Sequence, residues 1–128
     1  MAQLFWICLA GAVGTGARYG VGLWATRAFG AAFPYGTFAV NLVGSFLISI
    51  VLVLAVSTSH IGPTLRLALT TGFMGGLTTY SSFNYETLRY FDERAWGMGV
   101  LYMVLTGGGC LAAGALGMIL ARRLTGAG

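Results

Sequence analysis

The sequence predicts an all-α integral membrane protein, and two observations lead to this fold class. The 128 residues are 57% hydrophobic and only 8% charged, a composition far from that of a soluble domain. The apolar residues fall into four segments, each long enough to cross a bilayer, which takes about 20 residues. Because so little remains outside them, residues 1–128 are expected to form a single four-helix membrane domain. We expect the spans at about residues 4–24, 35–56, 65–90 and 96–120.

Charge and cysteine usage exclude several classes of partner. The net charge of +4 comes from seven arginines against three acidic residues, without any lysine. The arginines stand mostly at segment ends, where they can reach lipid headgroups, and no basic run predicts a nucleic-acid partner. Cys8 and Cys110 lie in separate apolar spans and no CxxC motif occurs, so we expect free thiols rather than a disulfide or a metal pair.

The first span, about residues 4–24, combines glycines with one charge. Gly11, Gly14 and Gly22 lie near one helix face, and small residues let membrane helices approach closely. Arg18 interrupts the apolar run, a layout unlike that of a cleaved signal peptide, so the helix is expected to be retained. Two interpretations of Arg18 remain open: it lines an anion vestibule, or its side chain extends to the nearby membrane interface.

The second span, about residues 35–56, carries a regular series of polar side chains. Thr37, Asn41, Ser45 and Ser49 recur every four residues and therefore share one helix face. The amide of Asn41 offers two donors and an acceptor. A lone membrane asparagine commonly bonds a neighbouring helix, but a continuous stripe of four polar residues favours a pore wall.

The third span, about residues 65–90, is longer than one crossing needs and contains the stretch TTGFMGGLTTYSSFNYE at residues 70–86. The adjacent glycines Gly75 and Gly76 precede Thr78 and Thr79, and each glycine weakens a helix by about 1 kcal/mol relative to alanine. We therefore expect the helix to break mid-membrane near residues 75–79 and then to resume. Backbone groups freed in lipid need partners, which predicts an ion or substrate site. The alternative is a glycine patch for close helix packing.

Three side chains after the expected break are candidate site residues. Tyr80 and Phe83 are three residues apart and share a helix face. Aromatic residues at this spacing usually pack in a core, but their position directly after a polar break favours a role in the site. Glu86 lies toward the end of the span, and we expect it in a vestibule near the membrane interface.

The fourth span, about residues 96–120, presents a further face of polar and small residues. Tyr102, Thr106, Cys110 and Gly114 recur every four positions. The glycine triplet at 107–109 lets another helix come close.

The loop charges predict no preferred orientation in the membrane. With four spans, one side carries Arg66, Arg122 and Arg123, and the other carries Arg27, Arg89 and Arg94. Three arginines against three leave the positive-inside rule nothing to decide. We therefore expect insertion in both orientations, with an antiparallel, dual-topology homodimer as the product.

Three motifs identify a family that the chain resembles. They are GAVGTGARY at residues 11–19, GTFAVNLVGSF at 36–46 and GFMGGLTTYSSFNYE at 72–86. In this order, on three successive spans, they resemble the Fluc (CrcB-type) fluoride channel family along essentially the whole chain. The resemblance implies an antiparallel homodimer in the lipid bilayer, with two narrow fluoride pathways and a structural sodium ion at the centre of the interface.

The resemblance also implies roles for individual residues. Asn41 becomes a pore-lining amide donor, and Tyr80 and Phe83 take the places of two pore phenylalanines, although Tyr80 is tyrosine where many members have phenylalanine. The main-chain oxygens of Gly75 and Thr78 are expected to hold the sodium ion. Arg18 and Glu86 fall on family pattern positions and are expected in the vestibule. The polar track is completed by Thr37, Thr79, Ser81, Tyr102 and Thr106.

The function expected from the sequence is a fluoride-selective channel in the cell (inner) membrane that lowers cytoplasmic fluoride by passive export. Fluoride is small and strongly hydrated, so its pathway must replace water with hydrogen-bond donors, while binding stays weak enough for release. The alternative is a small multidrug-type proton-coupled antiporter, which requires a membrane-embedded carboxylate. A purely structural membrane subunit leaves the polar stripe without a reason, and no nucleophile–base pair predicts an enzyme.

Overall fold

The computed structural model describes residues 1–126, and its regular elements are all helices. The long helices are α1 (Ala2–Phe29), α2 (Tyr35–Ser57) and α6 (Trp96–Thr125). Between α2 and α6 lie α3 (Pro63–Leu67), a π-helical segment (Ala68–Met74), α4 (Gly75–Leu77) and α5 (Tyr80–Asp92). The described residues contain no strand, which confirms the predicted all-α class.

Three helices are long and apolar enough to cross a membrane. They are α1 with 28 residues, α2 with 23 and α6 with 30. A crossing takes about 20 residues, so each of them exceeds the minimum. Helix α1 extends beyond the predicted limits of 4–24 at both ends, and α6 extends beyond 96–120 at its carboxyl end, because the helical backbone continues past the apolar core. The predicted domain limits of 1–128 include residues 127 and 128, which lie outside the described part.

The helices pack in two close pairs. Helix α2 lies along α6, and α1 lies along the π-helical segment and α4. Glycines on both sides of the second pair bring main chains together, since Gly72 faces Ile7 and Ala10, and Gly76 faces Gly11 and Thr15. Small residues at an interface allow this approach. The buried core that joins the pairs consists of Val40, Met74 and Leu77.

The segment from Pro63 to Asp92 leaves the helical conformation at two threonines. Thr78 (φ −83°, ψ 156°) and Thr79 (φ −151°, ψ 114°) are extended, and the helix resumes at Tyr80. The sequence predicted an interruption near residues 75–79, but Gly75 and Gly76 themselves remain helical, with φ −62° and ψ −36° at Gly75. The role of these glycines is therefore different from the one predicted from helix propensity. Gly76 provides the close contact with α1.

Candidate functional site

The interruption at Thr78 and Thr79 is closed by one side chain from α2. Asn41 Nδ2 donates to the Thr79 carbonyl oxygen at 3.0 Å, and the Thr79 N–H donates to Asn41 Oδ1 at 2.7 Å. The amide thus gives the extended residue both bonds that a neighbouring peptide unit would provide. Asn41 is only 9% exposed, so these bonds satisfy groups that have little access to solvent. One Nδ2–H donor of Asn41 remains unused by this pair.

The hydroxyl of Thr79 begins helix α5. Thr79 Oγ1 accepts from the Ser82 N–H at 3.1 Å, which is the bond of a helix N-cap. The same hydroxyl donates to Ser82 Oγ at 3.0 Å and lies 3.3 Å from Ser81 Oγ. Since Ser82 Oγ accepts the proton of Thr79, its own proton is available to another acceptor. The break therefore carries a cluster of three hydroxyls at the start of α5.

Glu86 is held by hydroxyls from two other helices. Thr37 Oγ1 on α2 donates to Glu86 Oε1 at 2.7 Å, and Tyr102 on α6 donates its hydroxyl to Glu86 Oε2 at 2.7 Å. Tyr102 is fully buried. Hydrogen bonds to a carboxylate are shorter and stronger than neutral ones, so this pair of donors fixes the Glu86 side chain between α2 and α6.

The two aromatic residues after the break sit side by side. The ring centroids of Tyr80 and Phe83 lie 5.8 Å apart, with the ring planes inclined by 60°. The ring centroids of Phe83 and Tyr102 lie 5.2 Å apart. Tyr80 is 78% exposed in the single chain, whereas Phe83 is partly buried. The aromatic series thus runs from the buried polar network at Tyr102 to an uncovered surface at Tyr80.

Two cavities meet at the break. The first, of about 560 Å³, is lined by Arg18, Thr37, Ser82, Glu86 and Arg89 among others, and the second, of about 430 Å³, lies on the other side of the break. Thr79 lines both. The second cavity brings together residues of α2, the π-helical segment, α4, the break, α5 and α6, namely Asn41, Ser45, Met74, Gly75, Thr78, Tyr80, Phe83, Thr106 and Cys110.

Arg18 belongs to the first cavity. Its Nη1 donates to the Thr78 carbonyl oxygen at 3.4 Å, a long contact that places the guanidinium beside the break. Of the two interpretations left open by the sequence, this geometry favours the one in which Arg18 faces a cavity.

Thr106 provides an unusual hydroxyl in the second cavity. Thr58, Thr70 and Thr87 each donate to the carbonyl oxygen four residues earlier, at 2.8 Å. Thr106 makes no such bond: its Oγ1 is buried and has no hydrogen-bond partner among the described residues. A buried donor without a partner is unfavourable by about 1–3 kcal/mol, so this hydroxyl is available to an acceptor that enters the cavity.

Two carbonyl oxygens at the break have lost their helical partners. In a continuous helix Thr79 N–H would donate to Gly75 O, but it donates to Asn41, and the Ser82 N–H that would reach Thr78 O donates to Thr79 Oγ1. Thr78 O receives only the long contact from Arg18. Each carbonyl oxygen has two lone pairs, so Gly75 O and Thr78 O can each accept a further partner. Oxygens of this kind are the ligands that hard cations take in proteins.

The sequence singled out most of these residues but missed several partners. The structure brings Asn41 and Thr79 together, and likewise Thr37, Glu86 and Tyr102. Ser81 is exposed and lines neither cavity, whereas the neighbouring Ser82, which the sequence interpretation passed over, lines the first. The signal for Ser82 was available, because it stands three residues after the capping Thr79. Arg89 was expected only as a loop charge, yet it also lines the first cavity.

Helices of membrane-spanning length around polar cavities define a multi-pass membrane protein, and comparisons with known proteins narrow this class to one family. The family described as CrcB-like protein, Camphor Resistance (CrcB), matches residues 5–118, so the chain belongs to the CrcB family.

The chain is also similar to individual relatives that carry the name Fluoride-specific ion channel FluC. The protein from Sorangium cellulosum is 53% identical over 97% of this chain and 98% of its own length. Those from Anaeromyxobacter dehalogenans and Citrifermentans bemidjiense are 47% and 42% identical, over 98% and 97% of this chain and 100% of their own lengths. The resemblance stated from the motifs is confirmed.

Proposed function

We propose that this chain forms a fluoride-selective channel that lets fluoride leave the cell passively. The observation that carries the proposal is the polar break at Thr78 and Thr79, where Asn41 bonds Thr79 and Thr79 lines two cavities. Near-full-length relatives named fluoride-specific ion channels support the choice of ion. In this proposal the segment from Pro63 to Asp92 crosses the membrane as the third of four spans, interrupted mid-way.

In this proposal fluoride moves between hydrogen-bond donors whose protons have no acceptor within the protein. The free Nδ2–H of Asn41, the Thr106 hydroxyl and the Ser82 hydroxyl provide such donors on either side of Thr79. The edges of the Tyr80 and Phe83 rings, which carry partial positive charge, add favourable contacts. None of these groups bears a full charge, so each holds the anion weakly enough for it to move on. Thr37, Thr79 and Tyr102, which the resemblance also assigns to the track, already donate their protons to Glu86 or Ser82, so in this proposal they hold the track in place. Ser81, the remaining residue of the proposed track, lies 3.3 Å from Thr79 Oγ1.

Arg18 and Glu86 line the first cavity, which is the vestibule that leads to the track in this proposal. The guanidinium of Arg18, which lies beside Thr78 O, raises the local concentration of anions. The hydrogen bonds from Thr37 and Tyr102 hold both oxygens of Glu86, so this carboxylate keeps a fixed position in the vestibule. The vestibule is therefore attractive to anions without a fixed cluster of positive charges in the track itself.

The working unit in this proposal is an antiparallel homodimer in the cell membrane. Tyr80 and Gly75 line the second cavity yet are exposed in the single chain, so a second copy would cover them. The balance of three arginines on each predicted side agrees with both orientations in one membrane. Gly75 and Thr78 oxygens from two copies would hold a structural sodium ion, which satisfies carbonyls that the break has freed.

Proton-coupled antiport is a weaker hypothesis for this chain. That chemistry needs a membrane carboxylate that exchanges protons with a cationic substrate. Both oxygens of Glu86 already accept short hydrogen bonds, and Arg18 and Arg89 line the same cavity, where they would repel a cation. No observation in the described residues favours the antiporter.

The proposal is tested by efflux of anions from liposomes that contain the purified protein. Vesicles are loaded with fluoride or chloride, potassium is made permeant with valinomycin, and release is followed with an ion-selective electrode. We expect rapid release of fluoride while chloride stays inside. Release of neither anion, from vesicles shown to contain folded dimer, would contradict the proposed function and return antiport to first place.

A further inference from the structure

The second cavity contains a thiol that the proposed mechanism does not use. Cys110 lies on α6, four residues after Thr106, and both side chains line this cavity of about 430 Å³. Cys110 is partly buried and is a free cysteine. The other cysteine, Cys8, is exposed on α1 and lines none of the cavities described above.

An independent feature marks this stretch of α6 as the wall of an anion path. Thr106 is 4% exposed and its hydroxyl has no partner among the described residues, so it is a buried donor that awaits an acceptor. Residues four apart on a helix lie one above the other on the same face. An acceptor bound at Thr106 therefore lies about one helical turn from Cys110, which lines the same cavity.

We propose that Cys110 is a modification site through which small electrophilic sulfur compounds close the channel. This inference rests on the proposed function, since it concerns the ion that passes the cavity. The cysteine thiolate attacks the sulfenyl sulfur of a methanethiosulfonate reagent, a mixed disulfide forms and methanesulfinate leaves. The proton of the thiol goes to the buffer. The adduct then occupies space beside Thr106, and fluoride loses access to that hydroxyl.

The chain provides its own matched control, because only two cysteines are present. Cys8→Ala leaves Cys110 as the single target, and Cys110→Ala leaves Cys8. Cys110→Ser keeps a small polar group that cannot form the disulfide. Methyl methanethiosulfonate is the probe, because it is neutral and small enough to reach copies of either orientation from one side of the membrane.

The experiment measures two quantities on the same liposomes: the mass of the protein and the rate of fluoride efflux. In the Cys8→Ala protein we expect one methylthio adduct per chain and a fall in efflux of about tenfold or more. The Cys110→Ala and Cys110→Ser proteins should keep the rates that they have without the reagent, within about twofold. Reversal by a reducing agent should restore efflux in the Cys8→Ala protein.

Three results would overturn the inference. Full modification of Cys110 with unchanged efflux would remove its thiol from the pathway. Failure of Cys110 to react in the folded protein, when it reacts after denaturation, would show that the cavity does not expose the thiol. Equal inhibition of the Cys110→Ala protein would assign the effect to Cys8. All three are read against fluoride efflux by the unmodified protein, so they are distinct from failure of the proposed function, in which no variant conducts before the reagent is added.

Discussion

The two halves of the third segment are held in place by different interactions. Before the break, the π-helical segment and α4 lie against α1 through main-chain contact at Gly14, Gly72 and Gly76. After the break, α5 is fixed by side-chain hydrogen bonds, which include those of Thr79 and Glu86. The first half packs closely and lines only the second cavity, whereas the second half lines both cavities. Close packing therefore supports the break, and the polar network beyond it supplies the site.

The largest effect should come from adding a methyl group to the close-packed half. A Cβ on Gly14 would meet the main-chain oxygen of Phe73 and, at 3.0 Å, the nitrogen of Leu77. Backbone cannot move aside as a side chain does, so Gly14→Ala should cost about 1–3 kcal/mol or more and lower the yield of folded protein sharply. Thermal unfolding in detergent, read by size-exclusion chromatography, measures the effect.

The matched control for this change is Gly16→Ala on the same helix. A Cβ on Gly16 meets nothing within 4 Å, so this variant should be as stable as the parent or slightly more stable. Equal stability of the two alanine variants would mean that the contact between α1 and the third segment is not close in solution.

The next prediction concerns Asn41, which bonds Thr79 at the break. Asn41→Asp replaces the Nδ2 donor by a carboxylate oxygen that faces the Thr79 carbonyl, and it places negative charge where fluoride passes. We expect the fluoride efflux rate to fall by about a hundredfold or more, since about 3 kcal/mol corresponds to that factor. The liposome assay measures it, with equal amounts of folded protein in the vesicles. Efflux near the parental rate would remove Asn41 from the pathway.

The smallest effect separates function from stability within the polar half. Thr106→Val keeps the shape of the side chain but removes a buried donor that has no partner. Stability should be unchanged or higher by about 1 kcal/mol, because an unsatisfied group disappears, while fluoride efflux falls by about tenfold. Thr87→Val is the control, since its hydroxyl is already bonded to Phe83 O at 2.8 Å. A loss of stability without loss of efflux in Thr106→Val would make Thr106 a packing residue.

The sequence predicted the parts of this molecule that depend on local composition. Apolar length located α1, α2 and α6, and the mixture of hydroxyls and glycines located the interruption to within a few residues. The extended residues, Thr78 and Thr79, lie within the predicted range of 75–79, although helix propensity assigned the weakness to Gly75 and Gly76. Asn41 bonds both the N–H and the carbonyl oxygen of Thr79. These bonds replace those that a continuous helix would give Thr79, so the threonines and not the glycines leave the helical conformation.

The parts that depend on tertiary contacts could not be predicted. Thr37 and Glu86 are 49 residues apart, and Tyr102 and Glu86 are 16 apart, so no local pattern announces that the three share a network. The unpartnered hydroxyl of Thr106 is equally invisible, because a helical threonine normally bonds its own backbone four residues back, as Thr87 does. The motif resemblance assigned these positions to a track without saying which of them is satisfied.

The π-helical segment sets the direction in which the break faces. A π-helical turn holds about one residue more than an α-helical turn, so the stretch from Ala68 to Met74 accommodates one extra residue without rotating the chain that follows it. If the same seven residues became α-helical, the residues after them would rotate by about 100° relative to α3. Gly76 would then turn away from α1, and Thr79 would no longer face Asn41. Deletion of one residue from the segment would instead let it become α-helical while Gly76 and Thr79 keep their partners, so the site would tolerate a shorter chain better than a straightened one.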